Sequence, residues 1–170
     1  MQPPDPRPRE EKAAPSWPLL IALSAVITGT AALMEYNTVY TQGEVMQLFY
    51  RVAVAGVSAL LLMGLANRAM AAWLTLLCGG SLILWQANQS RRWAMLHEEV
   101  TAIVAHVNAM KSTKGQMPPD LSAYNFRHPE LQKQISYSFN KGKLFLSYYL
   151  NDRGISYWYH EDSGFGYYPD

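Results

Sequence analysis

From Pro18 to Trp85 the chain carries almost no charge, and the run is long enough to cross a bilayer three times. It opens WPLLIALSAVITGTAALM, breaks over a short polar segment, and resumes as FYRVAVAGVSALLLMGLANRAMAAWLTLLCGGSLILW. A spanning helix needs about 20 apolar residues at ~1.5 Å each. Segments 17–34, 48–66 and 69–86 each approach that length. Trp17 and Trp85 stand at span ends, where an indole suits the membrane interface, and Tyr50 and Arg51 sit at the mouth of the second span. Asn67-Arg68 reads as a tight polar hairpin turn between the second and third. The expected organisation is a membrane α-helical bundle of three transmembrane helices over 17–88, followed by a small extramembrane α+β domain over 89–170. Residues 1–16 (MQPPDPRPREEKAAPS) are proline-rich and charged, a composition that predicts a disordered tail.

The first apolar run follows a basic segment, as a signal peptide does. It is longer than the usual signal core and Ala31-Ala32 lacks a cleavage context, so a retained anchor is expected. Small residues recur at four-residue spacing in Ser24/Thr28/Ala32, Ala55/Ala59 and Ala71/Thr75/Gly79. Such spacing lets helix backbones approach closely, in a compact bundle or at a dimer face. No Asp, Glu, Lys or His falls inside the predicted spans. Buried ionisable groups mark ion paths and proton relays, so the pattern argues against a pump or channel. Arg51 lies close enough to an interface to snorkel.

Orientation follows from the basic residues. A cytoplasmic N-terminus puts Arg7, Arg9, Lys12 and Arg68 inside, whereas the reverse puts Arg51, Arg91 and Arg92 there. The first arrangement is preferred, with the C-terminal domain outside the cytoplasm. The 170-residue chain has a net charge of +1, so no strong field points to nucleic acid. Cys78 is the one cysteine, which excludes a disulfide framework or a cysteine-based zinc site within one chain.

Beyond Trp85 the pattern becomes that of an amphipathic helix. Trp93, Leu96, Val100, Ile103, Val104, Val107 and Met110 recur at three- and four-residue steps, with Glu98, Glu99, Asn108 and Lys111 off that stripe. No Gly or Pro interrupts Ser81 to Lys114, so the third span is expected to continue into this helix. Gly115 and then Pro118-Pro119 end it. Residues 115–134 read as a loop with one short helical turn. Period-two alternation follows: Ile135, Tyr137 and Phe139 against serines, then Leu144, Leu146, Tyr148 and Leu150 against Phe145, Ser147 and Tyr149. Turns at Asn140–Gly142, Asn151–Gly154 and Glu161–Gly164 separate four short β runs. The prediction is a four-stranded antiparallel meander packed on the long helix.

This layout resembles the type IV pilin and pseudopilin fold, in which a long helix is membrane-embedded in its first half and packs on a small sheet in its second. The resemblance rests on the helix ending AHVNAMKSTKG, on QMPPDL with Gly115, Pro118 and Leu121, and on the hairpin ISYSFNKGKLFLSYYL. It implies an envelope-facing head domain. The third span is preceded by Asn67-Arg68-Ala69, with no glycine cleavage point, and Leu74 stands where a prepilin has its glutamate. Processing by a prepilin peptidase is therefore not implied.

No catalytic motif stands out. His97 and His106 are nine positions apart, not the four of a helical zinc pair, and read as surface polar residues together with Glu98 and Glu99. His128 and His160 show no partner in sequence. Asp152, Glu161, Asp162 and Asp170 lie in or near turns but lack the dense spacing of a calcium loop, and ordinary turn chemistry accounts for Asp152 and Asp162. Ser122, Ser136, Ser147 and Ser156 have no nucleophile-elbow glycines around them. No catalytic residue, metal site or cofactor is expected. The tyrosine-rich tail is the candidate surface: alternation places about half of its rings away from the helix, with Tyr149, Trp158 and Tyr168 as the expected contact residues. The expected function is a non-enzymatic inner-membrane protein whose partners are the lipid bilayer and a protein of an envelope or secretion assembly. A toxin-binding immunity protein, or an accessory subunit of a membrane enzyme or transporter, is the alternative.

Overall fold

The computed structural model describes residues 14–37, 47–140, 142–150 and 155–169. Three helices come first: α1 (Trp17–Asn37), α2 (Gln47–Ala66) and α3 (Arg68–Lys114). A short 3-10 helix (Pro129–Gln134) then leads into strands β1 (Ile135–Asn140), β2 (Lys143–Tyr149), β3 (Ile155–His160) and β4 (Gly164–Pro169). The chain forms two compact units. α1 up to Tyr36, α2, and α3 as far as Trp85 make the first, and Gln86 onward makes the second.

In the first unit the three helices are long and apolar enough to cross a membrane. Large apolar side chains point outward from all three, including Leu19, Val26, Val52, Leu62, Trp73 and Leu77. Apart from Leu20 of α1, what is inside is small or polar: α1 buries Ser24, Ala31 and Glu35, and α3 buries Ala71 and Thr75. That inversion is compatible with helices that cross a membrane, where small residues sit between helices. Two glycines mark the close approaches. A Cβ at Gly64 of α2 would lie 2.7 Å from Leu20 Cδ2, and one at Gly79 of α3 would lie 2.1 Å from Ile27 Cγ2. Ala55 and Ala59, expected among the packing residues, are exposed instead, because α2 turns Gly64 rather than that pair toward α1.

Two sequence expectations are corrected in this unit. The connection between α2 and α3 is Asn67 alone, and Arg68 is already helical. Asn67 caps α3, its Oδ1 accepting from the Met70 N–H at 3.0 Å. Its own N–H still bonds the Met63 carbonyl of α2. In addition, α1 does not stop at Met34. It continues to Asn37 and includes Glu35, which is fully buried. Hydropathy stops a span at the first charge, whereas the backbone has no reason to stop there.

The second unit packs a helix on a sheet. The core gathers Trp93, Leu96, Val100, Ile103 and Val107 from α3 with Leu131, Leu144, Leu146, Tyr148, Leu150 and Tyr157. The stripe is the one the three- and four-residue spacing predicts, except that Met110 lies outside this cluster and Val104 at its margin. Gly115 ends α3 in the left-handed region at φ 70°, its N–H bonding the Lys111 carbonyl at 2.9 Å. The four strands pair in sequence order, each antiparallel to the next. β2 alternates buried and more exposed residues: Leu144, Leu146 and Tyr148 face α3, and Phe145, Ser147 and Tyr149 face away. Gly142 and Gly164 supply the positive φ that tight hairpins need, at 81° and 76°.

Substituting Gly79 with Leu should force α1 and α3 apart and destabilise the first unit by about 1–3 kcal/mol. Thermal unfolding of the full chain in detergent micelles measures this. Gly29→Leu, at a position with open space around it, serves as the neutral control.

Candidate functional site

The sheet has one face that its own core does not use. Register places Phe145, Ser147 and Tyr149 of β2 beside His160, Trp158 and Ser156 of β3. These in turn lie beside Gly164, Gly166 and Tyr168 of β4. Tyr149 and Tyr168 therefore flank Ser156 on one rung, and Trp158 lies one rung along. Of the three expected contact residues, Tyr149 and Trp158 lie on the outer face, and Tyr168 holds the register position across from Ser156. Tyr149 is 46% exposed and Trp158 is half-buried. The side chain of Tyr168 lies outside the described residues.

The outer face is ordered by a glycine. Trp158 stands directly across from Gly166, and its indole covers that residue so closely that a Cβ would come within 2.2 Å of the ring. His160 meets Trp158 edge-on, with ring centres 4.7 Å apart, and meets Phe145 at 4.5 Å. His160 thus has the partners its sequence position did not reveal. The result is a row of rings across β2 and β3, fixed by register and a missing side chain.

The other side of the sheet holds polar groups that periodicity misplaces. Glu99 was expected on the surface and is fully buried. Its Oε1 accepts from the Tyr124 hydroxyl at 2.8 Å and from the Arg127 N–H at 3.2 Å, and its Oε2 accepts from the His128 N–H at 2.9 Å. The carboxylate is therefore the anchor of the loop that follows α3. Burial, with the Glu99 bond second, pushes the Tyr124 phenol up to about 12. His128 also lies beside Glu130, at 3.6 Å. Glu98, by contrast with Glu99, is exposed and pairs with Arg127 at 3.1 Å.

His97 is also not a surface residue. Its ring stacks on Trp93 at 4.7 Å and 10°, meets Phe165 at 4.7 Å, and places Nδ1 3.0 Å from the Tyr148 hydroxyl. Burial lowers the His97 pKa from its ordinary 6.5 and raises that of Tyr148. His106 meets Tyr124 edge-on at 5.3 Å. Glu161 pairs with Lys111 and accepts from the Leu144 N–H, and Asp162 pairs with Lys143. The acidic turn thus ties β3–β4 to α3 and to β2. Asp152 and Asp170 lie outside the described residues. Among the described residues no three His, Cys, Asp or Glu side chains gather as a metal site would require.

Comparison with known proteins gives no match: no family model, no curated protein and no solved structure is similar to the chain.

Glu99→Ala should destabilise the second unit by roughly 2–4 kcal/mol, since it strands three donors that share one charged acceptor. Tyr124→Phe, which removes one of them, should cost about 1 kcal/mol. Hydrogen exchange of the loop amides at Arg127 and His128 separates the two effects. For His97 the folded pKa lies below the unfolded one, so its contribution is complete above about pH 6.5 and declines as the pH falls below that toward the folded value. The full chain should therefore lose stability between about pH 7 and pH 5 by more than His97→Gln does. Melting curves of both proteins across that range test the sign.

Proposed function

We propose that the chain is a multi-pass protein of the bacterial inner membrane, with a cytoplasmic N-terminus and the second unit outside the cytoplasm. In this reading it is not an enzyme. It presents the α+β unit to a protein partner, as an accessory or scaffold component of an envelope or secretion assembly. The observation that carries the reading is the outer sheet face. Leu144, Leu146, Tyr148 and Tyr157 of the opposite face close the core. The rings of Phe145, Tyr149, Trp158 and His160 are additional to that core, and His160 joins Phe145 and Trp158 in one row. Aromatic side chains that a core does not need suit recognition, because they bring large contact area at low conformational cost.

Three further points support the placement. The helices of the first unit are apolar on their outer surface, as an anchor requires. The count of Arg7, Arg9, Lys12 and Arg68 against Arg51, Arg91 and Arg92 favours an N-terminus inside. The resemblance to a pilin head, a helix under a small antiparallel sheet, suits an extracytoplasmic unit.

The chain should co-purify with a membrane complex in mild detergent, and the double variant Tyr149→Ala, Trp158→Ala should lose that association while its near-ultraviolet circular dichroism still reports a packed sheet. Retained association would remove the outer face as the contact surface. A reporter fused after Asp170 should be active outside the cytoplasm; a cytoplasmic signal would overturn the orientation.

A further inference from the structure

We propose that His97 is a pH-operated latch: while neutral it clasps β4 to α3, and when protonated it frees β4 and unseats the rings on the outer face of the sheet. β4 is an edge strand and pairs with β3 alone. It carries Gly164 and Gly166 and ends at Pro169, so its pairing is weaker than that of an inner strand. Side-chain contacts add to that pairing. Tyr167 lies beside Tyr157, with ring centres 6.4 Å apart. Phe165 meets the His97 ring at 4.7 Å and the Tyr159 ring at 5.0 Å. His97 also reaches β2 through Tyr148, so one imidazole touches both strands that flank β3.

The chemistry at this imidazole depends on its charge. Tyr148 is buried, and among the described residues His97 Nδ1, at 3.0 Å, is the acceptor its hydroxyl has. A buried phenol has one proton to place, so the neutral ring accepts at Nδ1 and carries its own proton on Nε2. Protonation turns Nδ1 into a donor. The bond then runs the other way, and the Tyr148 proton is left in an apolar core without an acceptor. Stacking on Trp93 favours the cation and offsets part of this. Among the described residues no carboxylate bonds the ring. On α3, Glu98 is paired with Arg127, and Glu99 is held by Tyr124 and the Arg127 and His128 amides. Glu161, in the turn before β4, pairs with Lys111 near the far end of α3. The other titratable groups of β2, β3 and β4 that pack on the helix side are the phenols of Tyr148, Tyr157, Tyr159 and Tyr167, neutral near pH 7. Burial accordingly lowers the His97 pKa.

The charged ring must turn toward water, and one of its neighbours must yield. Trp93 and Tyr148 are buried in the core, whereas Phe165 is 43% exposed and sits on the edge strand. Phe165 is therefore the side chain that gives way. The next residue transmits the change. Gly166 belongs to the opposite face, where the Trp158 indole lies against it. When β4 leaves, Trp158 loses that support, and so does His160, which meets Trp158 edge-on. That acid thereby weakens partner binding rests on the reading of the outer face given above; the release of β4 does not.

The test is hydrogen exchange of the full chain in nanodiscs at about pH 7.5 and about pH 5.5, corrected for intrinsic rates. Opening exposes a histidine with the ordinary pKa of 6.5, so one pH unit below that value raises opening by at most about tenfold. The β4 amides should lose protection by about three- to tenfold at the lower pH, while those of β1 and β2 keep theirs. His97→Gln, whose amide oxygen accepts from Tyr148 without titrating, should remove the difference. His160→Gln, on the other face, should leave it. The latch is overturned if β4 exchanges alike at both pH values in the unmodified chain, if the difference persists in His97→Gln or vanishes in His160→Gln, or if β1 and β2 open together with β4. Should His97→Gln not fold, Tyr148→Phe decides. It has no hydroxyl to strand, so its loss of protection should be smaller than in the unmodified chain, and an equal or larger loss sinks the idea. Association with the membrane complex is followed at the same two pH values, with loss at the lower one expected for the unmodified chain but not for His97→Gln. Retained association with β4 released overturns the coupling to the outer face. Retained association of Tyr149→Ala, Trp158→Ala at the higher pH is instead a failure of the reading of that face, and the exchange result stands apart from it.

Discussion

Everything in the second unit depends on one contact: Leu96, Val100 and Ile103 of α3 against Leu144, Leu146 and Tyr148 of β2. A four-stranded meander has too little apolar area to stand alone in water, and a single amphipathic helix has none to spare. Each supplies the surface that the other must bury. Once β2 is seated, antiparallel pairing fixes which side of every other strand faces inward, because the side-chain period is two. Tyr157 goes inward beside Tyr148, and Trp158 is consequently turned outward. The composition of the outer face is thus a by-product of seating β2, and only the choice of residues placed there is left to function.

The parts of this arrangement that were legible in the sequence are those set by a repeat. The stripe from Trp93 to Val107 has helical period, the strands alternate, and Gly115, Gly142 and Gly164 mark the places where the backbone turns. Alternation also puts Tyr149 and Trp158 on one face of their strands, and the β2–β3 register agrees. The exceptions are interactions with no period. Glu99 falls off the apolar stripe by its spacing and is nonetheless buried, because a loop about 25 residues later brings a phenol and two amides to it. His97 is half-buried for a similar reason, in part by Phe165 far along the chain. Pattern reading assigns a polar residue to solvent, and only the return of the chain shows that it has partners.

The first unit shows the same limit in a different form. Small residues at four-residue spacing correctly marked Ala71, Thr75 and Gly79 but gave equal weight to Ala55 and Ala59, which are exposed. On helices that are apolar on their outer surface too, the hydrophobic pattern no longer tells inside from outside, so a small residue is only a permission to pack closely. Gly64 and Gly79 are the places where that permission is used, against Leu20 and Ile27.

The single-residue link at Asn67 limits what one side of a membrane could meet. With α2 and α3 joined through a residue that bonds both helices, no loop projects there. In a bilayer crossed by all three helices, two crossings would return the chain to the side of the N-terminus, and this link would meet that side with a single residue.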